Sequence, residues 1–212
     1  MSVSKRPISH TVARAVSLAL HPLLMAVWCV AFIMATDATS LVYTPQVKMF
    51  VIGAVFGMGC VVPLLVWAVM VLFGVAGPTD EMLKGPKSGR LVCFLVAMSL
   101  LGCGGVFADF GLLFIIRKVV NTLAIVWIVE CALQAVWQLS PHTTTLGAVV
   151  GIWWILLYVG NVALLPAFVG SIVATGALCT ARIHLNPTTS PWRIIIGAVA
   201  GFALGATLFI VL

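Results

Sequence analysis

Charge is scarce in this sequence. Eleven Lys and Arg and five Asp and Glu are spread over 212 residues, so charged side chains make up 8%. A soluble domain carries about 25%. So few charges cannot cover the surface of a water-soluble globule, and a soluble fold is excluded. The basic residues form no run of the length a nucleic-acid-binding arm needs, so the net charge of +6 does not point to nucleic acid. Six cysteines are present without a CxxC spacing, most of them inside apolar runs. That spacing gives no support to a disulfide framework or a zinc site, and free thiols acting as small hydrophobes are expected. There is no Walker loop, no dinucleotide-binding glycine pattern and no internal repeat, so no metal or organic cofactor is expected. Asn186-Pro187-Thr188 is not a glycosylation acceptor, because proline fills its middle position.

What the sequence has in abundance is apolar length. It is 63% hydrophobic, with a mean hydropathy of +1.24. Seven apolar runs lie at roughly 13–36, 47–77, 91–115, 119–138, 143–159, 162–182 and 193–212. Runs of about 20 apolar residues read as membrane spans. They are continuous rather than alternating, which excludes a β-barrel. The second is long enough to tilt or to project from the bilayer. The fifth is short, so six spans and seven both remain open. The expected fold is all-α: a polytopic transmembrane helical bundle of six to seven spans. Residues 1–12 form a polar N-terminal segment, and residues 13–212 form a single transmembrane helical domain. The first run exceeds the apolar core of a signal peptide and ends without a small-x-small cleavage site, so it is expected to be a retained span.

With seven spans, Lys5, Arg6, Arg14, Lys84, Lys87, Arg90, Arg182 and Arg193 share one side, and Lys48, Arg117 and Lys118 share the other. The positive-inside rule then puts the richer side, and the N-terminus, in the cytoplasm. Pro22, Pro63 and Pro166 lie inside runs, where a proline bends a helix and frees a carbonyl. His21, just before Pro22, either packs against its neighbours or faces a polar interior. Small residues recur at Gly53/Gly57, Gly147/Gly151 and Gly197/Gly201/Gly205. Such spacing lets helix backbones approach closely. Internal packing is the expected use, and a homo-oligomer contact or a purely structural assembly subunit is the alternative. Trp137, Trp153, Trp154, Tyr158 and Trp192 are expected to anchor the chain at the membrane interfaces.

Two polar breaks fall on the basic side: Gln138-Leu139-Ser140-Pro141-His142, and the stretch from Thr180 to Arg193 that carries Arg182 and His184. A third polar loop, Thr79 to Arg90, carries Asp80, Glu81, Lys84, Lys87 and Arg90. Cations and histidines gathered at one end of a bundle suit an anion with several oxygens. Arginine grips a phosphate through its planar fork, and lysine acts as a point charge. The simpler alternative is that these cations only satisfy the charge bias and touch lipid phosphates loosely.

The ordered set resembles the type 2 phosphatidic acid phosphatase superfamily, and within it the small membrane-embedded bacterial-type members. The family pattern runs K-x6-R-P, then P-S-G-H, then S-R-x5-H-x3-D. Lys84-Gly85-Pro86-Lys87-Ser88-Gly89-Arg90 matches the first part loosely, one residue short and with Leu91 in place of the proline. Ser140-Pro141-His142 keeps the histidine of the second, and Ala181-Arg182 keeps the arginine of the third. His21-Pro22-Leu23-Leu24-Met25 is also similar to the opening of the small members, and the likeness covers about residues 15–212. The resemblance implies that Lys84, Arg90 and Arg182 bind the phosphate. It implies that His142 is catalytic, a general acid protonating the leaving alkoxide. It implies a phosphohistidine on the third-motif histidine, with a following acid to orient that ring. Its partners would be membrane lipids, through a lipid phosphate or polyprenyl phosphate head group, in a bacterial inner membrane.

This sequence departs from the pattern at the nucleophile. Thr188 stands six residues after Arg182, and no Asp or Glu follows up to Leu212. His184 is only two residues past Arg182. A threonine hydroxyl with no base is a poor substitute. The expectation is a pseudoenzyme-like site that binds phosphate with phosphatase activity weak, altered or lost, an active phosphomonoesterase being the alternative. Two acids support a different function. Glu130, within an apolar run, is costly there and a candidate intramembrane acid. With Asp109, which could instead reach Arg117, it points to a small proton-coupled transporter or channel-like protein.

Overall fold

The computed structural model describes residues 8–36, 43–74, 86–110, 113–133, 140–185 and 190–212. Among them every regular element is helical. A backbone surrounded by lipid must satisfy its own hydrogen bonds, and a helix does so within one segment. The α-helices are α1 (Ile8–Ala19), α2 (Pro22–Thr36), α3 (Pro45–Phe56), α4 (Val62–Leu72), α5 (Pro86–Val106), α6 (Phe114–Leu133), α7 (Pro141–Tyr158), α8 (Leu165–Leu185) and α9 (Pro191–Val211).

Among the described residues, four stretches are long and apolar enough to cross a membrane: Pro45–Leu72, Ser88–Val106, Val162–Leu185 and Pro191–Val211. The α1–α2 pair makes a fifth if its two bent halves count as one span. The chain is therefore a helical integral membrane protein with four to five candidate spans, fewer than the six to seven expected. The difference lies in α6 and α7. Helix α6 carries Arg117, Lys118 and Glu130. Helix α7 opens on Pro141-His142-Thr143-Thr144-Thr145. Helix α7 is an interior helix, buried without interruption from Pro141 to Trp153.

Prolines set the helix starts. Pro22, Pro45, Pro86, Pro141 and Pro191 each open a helix, where a missing N–H leaves nothing unsatisfied. Between α1 and α2 the chain bends by 58°, with His21 at the break just before Pro22. Before Pro63, the Val62 N–H reaches back to the Gly57 carbonyl, and Gly57–Val61 forms a π-turn that joins α3 to α4. A proline that cannot donate is a common cause of such a local widening. Pro166 lies inside the Val162–Leu185 span as expected, but in the first turn of α8, where it does not break the ladder.

The closest helix pair is α7 with α9. A Cβ added at Gly201 would collide with the Thr144 carbonyl, and one at Gly205 with that of Ala148. From the other side, Gly147 abuts the Ala198 carbonyl and Gly151 that of Phe202. The glycine spacing thus serves internal packing at α7–α9. It does not do so at Gly53 in α3 or at Gly57 in the π-turn, where an added Cβ would meet nothing. The aromatic expectation also divides. Trp154, Tyr158 and Trp192 are exposed, but Trp153 is 2% exposed and belongs to the core. Trp137 lies outside the described residues. All six cysteines are free thiols. The Cys60 Sγ donates to the Leu23 carbonyl at 3.0 Å, tying the first turn of α2 to the π-turn.

Candidate functional site

Two helix starts meet at one end of the bundle. The first is that of α2. The Nδ1 of His21 accepts the Leu23 N–H at 3.4 Å, and its carbonyl accepts the Leu24 N–H at 2.9 Å. His21 therefore acts as the N-cap of α2. A neutral imidazole has one donor and one acceptor nitrogen. Because Nδ1 accepts, a neutral His21 ring carries its proton on Nε2.

The second start is that of α7. The Ser140 carbonyl accepts the Thr143 and Thr144 N–H groups at 3.0 and 3.1 Å, and both threonine hydroxyls at 3.1 and 3.2 Å. The Ser140 hydroxyl makes no cap bond. His142 follows Pro141 in the first turn and is 4% exposed. Its Nδ1 and the Ser140 Oγ are buried without a hydrogen-bond partner. Buried polar atoms are nearly always satisfied in native proteins, so each such atom requires an account.

The two starts are joined by their histidines. The rings of His21 and His142 stand edge to face, with centroids 5.3 Å apart and planes 79° apart. Arg182, in the last turn of α8, completes the group. Its charge acts on both imidazoles. It makes no ion pair with a carboxylate among the described residues. The partial positive charges at the N-termini of α2 and α7 add to the same field.

The other sequence candidates fall elsewhere. Arg90 lies near the start of α5, on the α5–α6 seam, where its carbonyl accepts the Cys131 Sγ at 3.4 Å. Glu130 is on the same seam and acts electrostatically on Cys93. It is 1% exposed, three residues before the last described residue of α6. His184 is exposed, and two residues rotate it about 200° around α8 from Arg182. Lys84 and Thr188, and the side chains of Lys87 and Asp109, lie outside the described residues. Sequence reasoning kept His142 and Arg182 together and left His21 open. One signal was available: His-Pro and Pro-His each mark a helix start, at the heads of two separate runs.

No protein-family model matches this chain, and no curated protein or solved structure matches it either.

The chemistry of the group is one-sided. It offers a guanidinium, an imidazole Nε2–H donor, a second buried imidazole and two helix N-termini. All of these favour an anion. A histidine nucleophile needs a lone pair on the attacking nitrogen and a partner that orients the ring. The Nδ1 lone pair of His21 is engaged by the Leu23 N–H, and the His142 Nδ1 has no hydrogen-bond partner to orient its ring. The described residues thus gather two imidazoles and a guanidinium's charge at the start of two helices.

Proposed function

We propose that this chain binds the phosphate head of a membrane lipid between His21, His142 and Arg182, and that it hydrolyses that phosphate weakly or not at all. It is then similar in layout to the type 2 phosphatidic acid phosphatases, with the phosphate clamp kept and the covalent catalyst missing. The observation that carries this reading is the half-buried Arg182 guanidinium, whose charge acts on two imidazoles 5.3 Å apart and which has no carboxylate paired to it among the described residues. A desolvated charge without a counter-ion is costly, and a bound dianion offsets that cost. A lipid phosphate presents such a dianion at the membrane boundary, where helix starts and loop cations gather.

In this reading α6 and α7 also cross the bilayer, shielded from lipid by their neighbours. Seven crossings result, and the positive-inside rule places the clamp and the N-terminus on the cytoplasmic side. The test is equilibrium binding of phosphatidic acid to the purified chain in phosphatidylcholine nanodiscs, with inorganic phosphate release followed in parallel. Binding that weakens in both Arg182→Ala and His142→Ala, with release near background, is the expected result. Binding unchanged in both variants rejects the site.

The bend at His21 favours a second reading, a proton-coupled carrier of the same anion. Interrupted membrane helices aim half-helix N-termini at anionic substrates in transporters. Glu130 would then carry the proton. Anion flux into liposomes that Glu130→Gln abolishes would select this reading, and no flux under any gradient would reject it.

A further inference from the structure

An apolar groove of about 300 Å³ lies one turn from both clamp histidines, bounded by the end of α1 and by α2, α7 and α8. Met25 and Phe32 line it from α2, Leu146 and Trp153 from α7, and Gly170 and Ala174 from α8. Each wall is the continuation of a helix stripe that ends in a clamp residue. Met25 is one turn beyond His21, Leu146 is one turn beyond His142, and Ala174 lies two turns before Arg182 on α8. From Leu146 to Trp153 the groove runs about 10 Å at 1.5 Å per residue. Phe32, 45% exposed, leaves its rim open towards lipid. A polar clamp at the head of a groove with hydrocarbon walls has the shape of one amphiphile: a charged head and a tail.

We propose that this groove is the tail subsite of the lipid phosphate site, and that it holds one hydrocarbon chain. The inference rests on the clamp proposed above. Its volume decides between one chain and two. Ligand pockets span about 300–1,000 Å³, and this groove is at the lower bound. The preferred ligand is therefore a single-chain phosphate monoester, over both a two-chain phosphatidic acid and free phosphate. Gly170 sets the width of the groove. A Cβ there would meet no atom within 4 Å, so a larger side chain enters the groove without disturbing helix packing.

The experiment measures binding of dodecyl phosphate, dioleoyl phosphatidic acid and inorganic phosphate to the full chain in phosphatidylcholine nanodiscs. Dodecyl phosphate is expected to bind tightest. Gly170→Leu is expected to weaken it by about 10-fold or more, the equivalent of about two methylenes expelled from the groove, and to leave inorganic phosphate unchanged. Gly176→Leu, at another position of α8 with open space and outside the groove, is the control expected to change neither. Ala174→Leu fills the same groove and provides a second obstruction should Gly170→Leu fold poorly. Unchanged dodecyl phosphate binding in both groove variants overturns the subsite, as does phosphatidic acid binding as tightly as dodecyl phosphate. Arg182→Ala separates the two levels. If it weakens every phosphate while the groove variants do nothing, the clamp stands and the tail subsite falls. If it changes none of them, the clamp falls as well.

Discussion

His21 and His142 stand edge to face with their ring centroids 5.3 Å apart, although one ring caps α2 and the other lies in the first turn of α7. Their meeting gathers two helix N-termini and the charge of Arg182 around one point.

The guanidinium supplies the clamp's full positive charge. Arg182→Ala is expected to weaken phosphatidic acid binding by roughly 10- to 100-fold, the loss of a charged hydrogen-bonding group worth about 1.5–3 kcal/mol. Arg182→Lys should restore part of this, since an ammonium keeps the charge but lacks the planar fork. Titration in nanodiscs reads both. Lysine restoring full affinity would mean that geometry plays no part.

His21 has two separable roles. His21→Asn keeps a side chain able to accept the Leu23 N–H and removes the Nε2–H donor. Its thermal stability should stay near wild type while lipid phosphate binding weakens. His21→Ala should lose both, with about 1 kcal/mol of helix-cap stability lost as well. Equal binding by wild type and His21→Asn would show that the ring only caps the helix.

The α7–α9 contact allows no side chain. Gly201→Leu would drive atoms into the Thr144 carbonyl, and a loss of more than about 3 kcal/mol is expected. Gly53→Leu, where a Cβ meets nothing, should be nearly neutral. Melting curves in detergent distinguish the two. A well-folded Gly201→Leu protein that merely loses self-association would instead assign this glycine to an oligomer contact.

Turnover should be close to background. With the Nδ1 lone pair of His21 engaged by backbone and the His142 Nδ1 lacking a partner to orient its ring, no phosphohistidine should accumulate when the protein is mixed with radiolabelled lipid phosphate. An acid-labile, base-stable label on His21 or His142 would contradict the clamp without catalyst.

Much of the architecture was legible in the sequence because its causes are local or compositional. Helix starts were marked by proline, and the break at His21 by Pro22. The packing role of Gly147, Gly151, Gly201 and Gly205 followed from their spacing. The same signal failed at Gly53 and Gly57, because spacing shows where a close approach is allowed and not whether a partner arrives. Trp153 was misplaced for a related reason: an indole suits an interface and a packed core equally well.

Composition alone determined that this chain is helical and membrane-embedded, since a chain so poor in charge cannot face water and an unpaired backbone cannot face lipid. It also determined which polar residues had to lie near helix ends. Only the tertiary structure decided which of them share a site. His21 joins His142 because α2 and α7 pack with their first turns together, while Arg90 and Glu130 fall on the neighbouring α5–α6 seam. That choice depends on interhelical packing between segments far apart in the chain, and no local period encodes it.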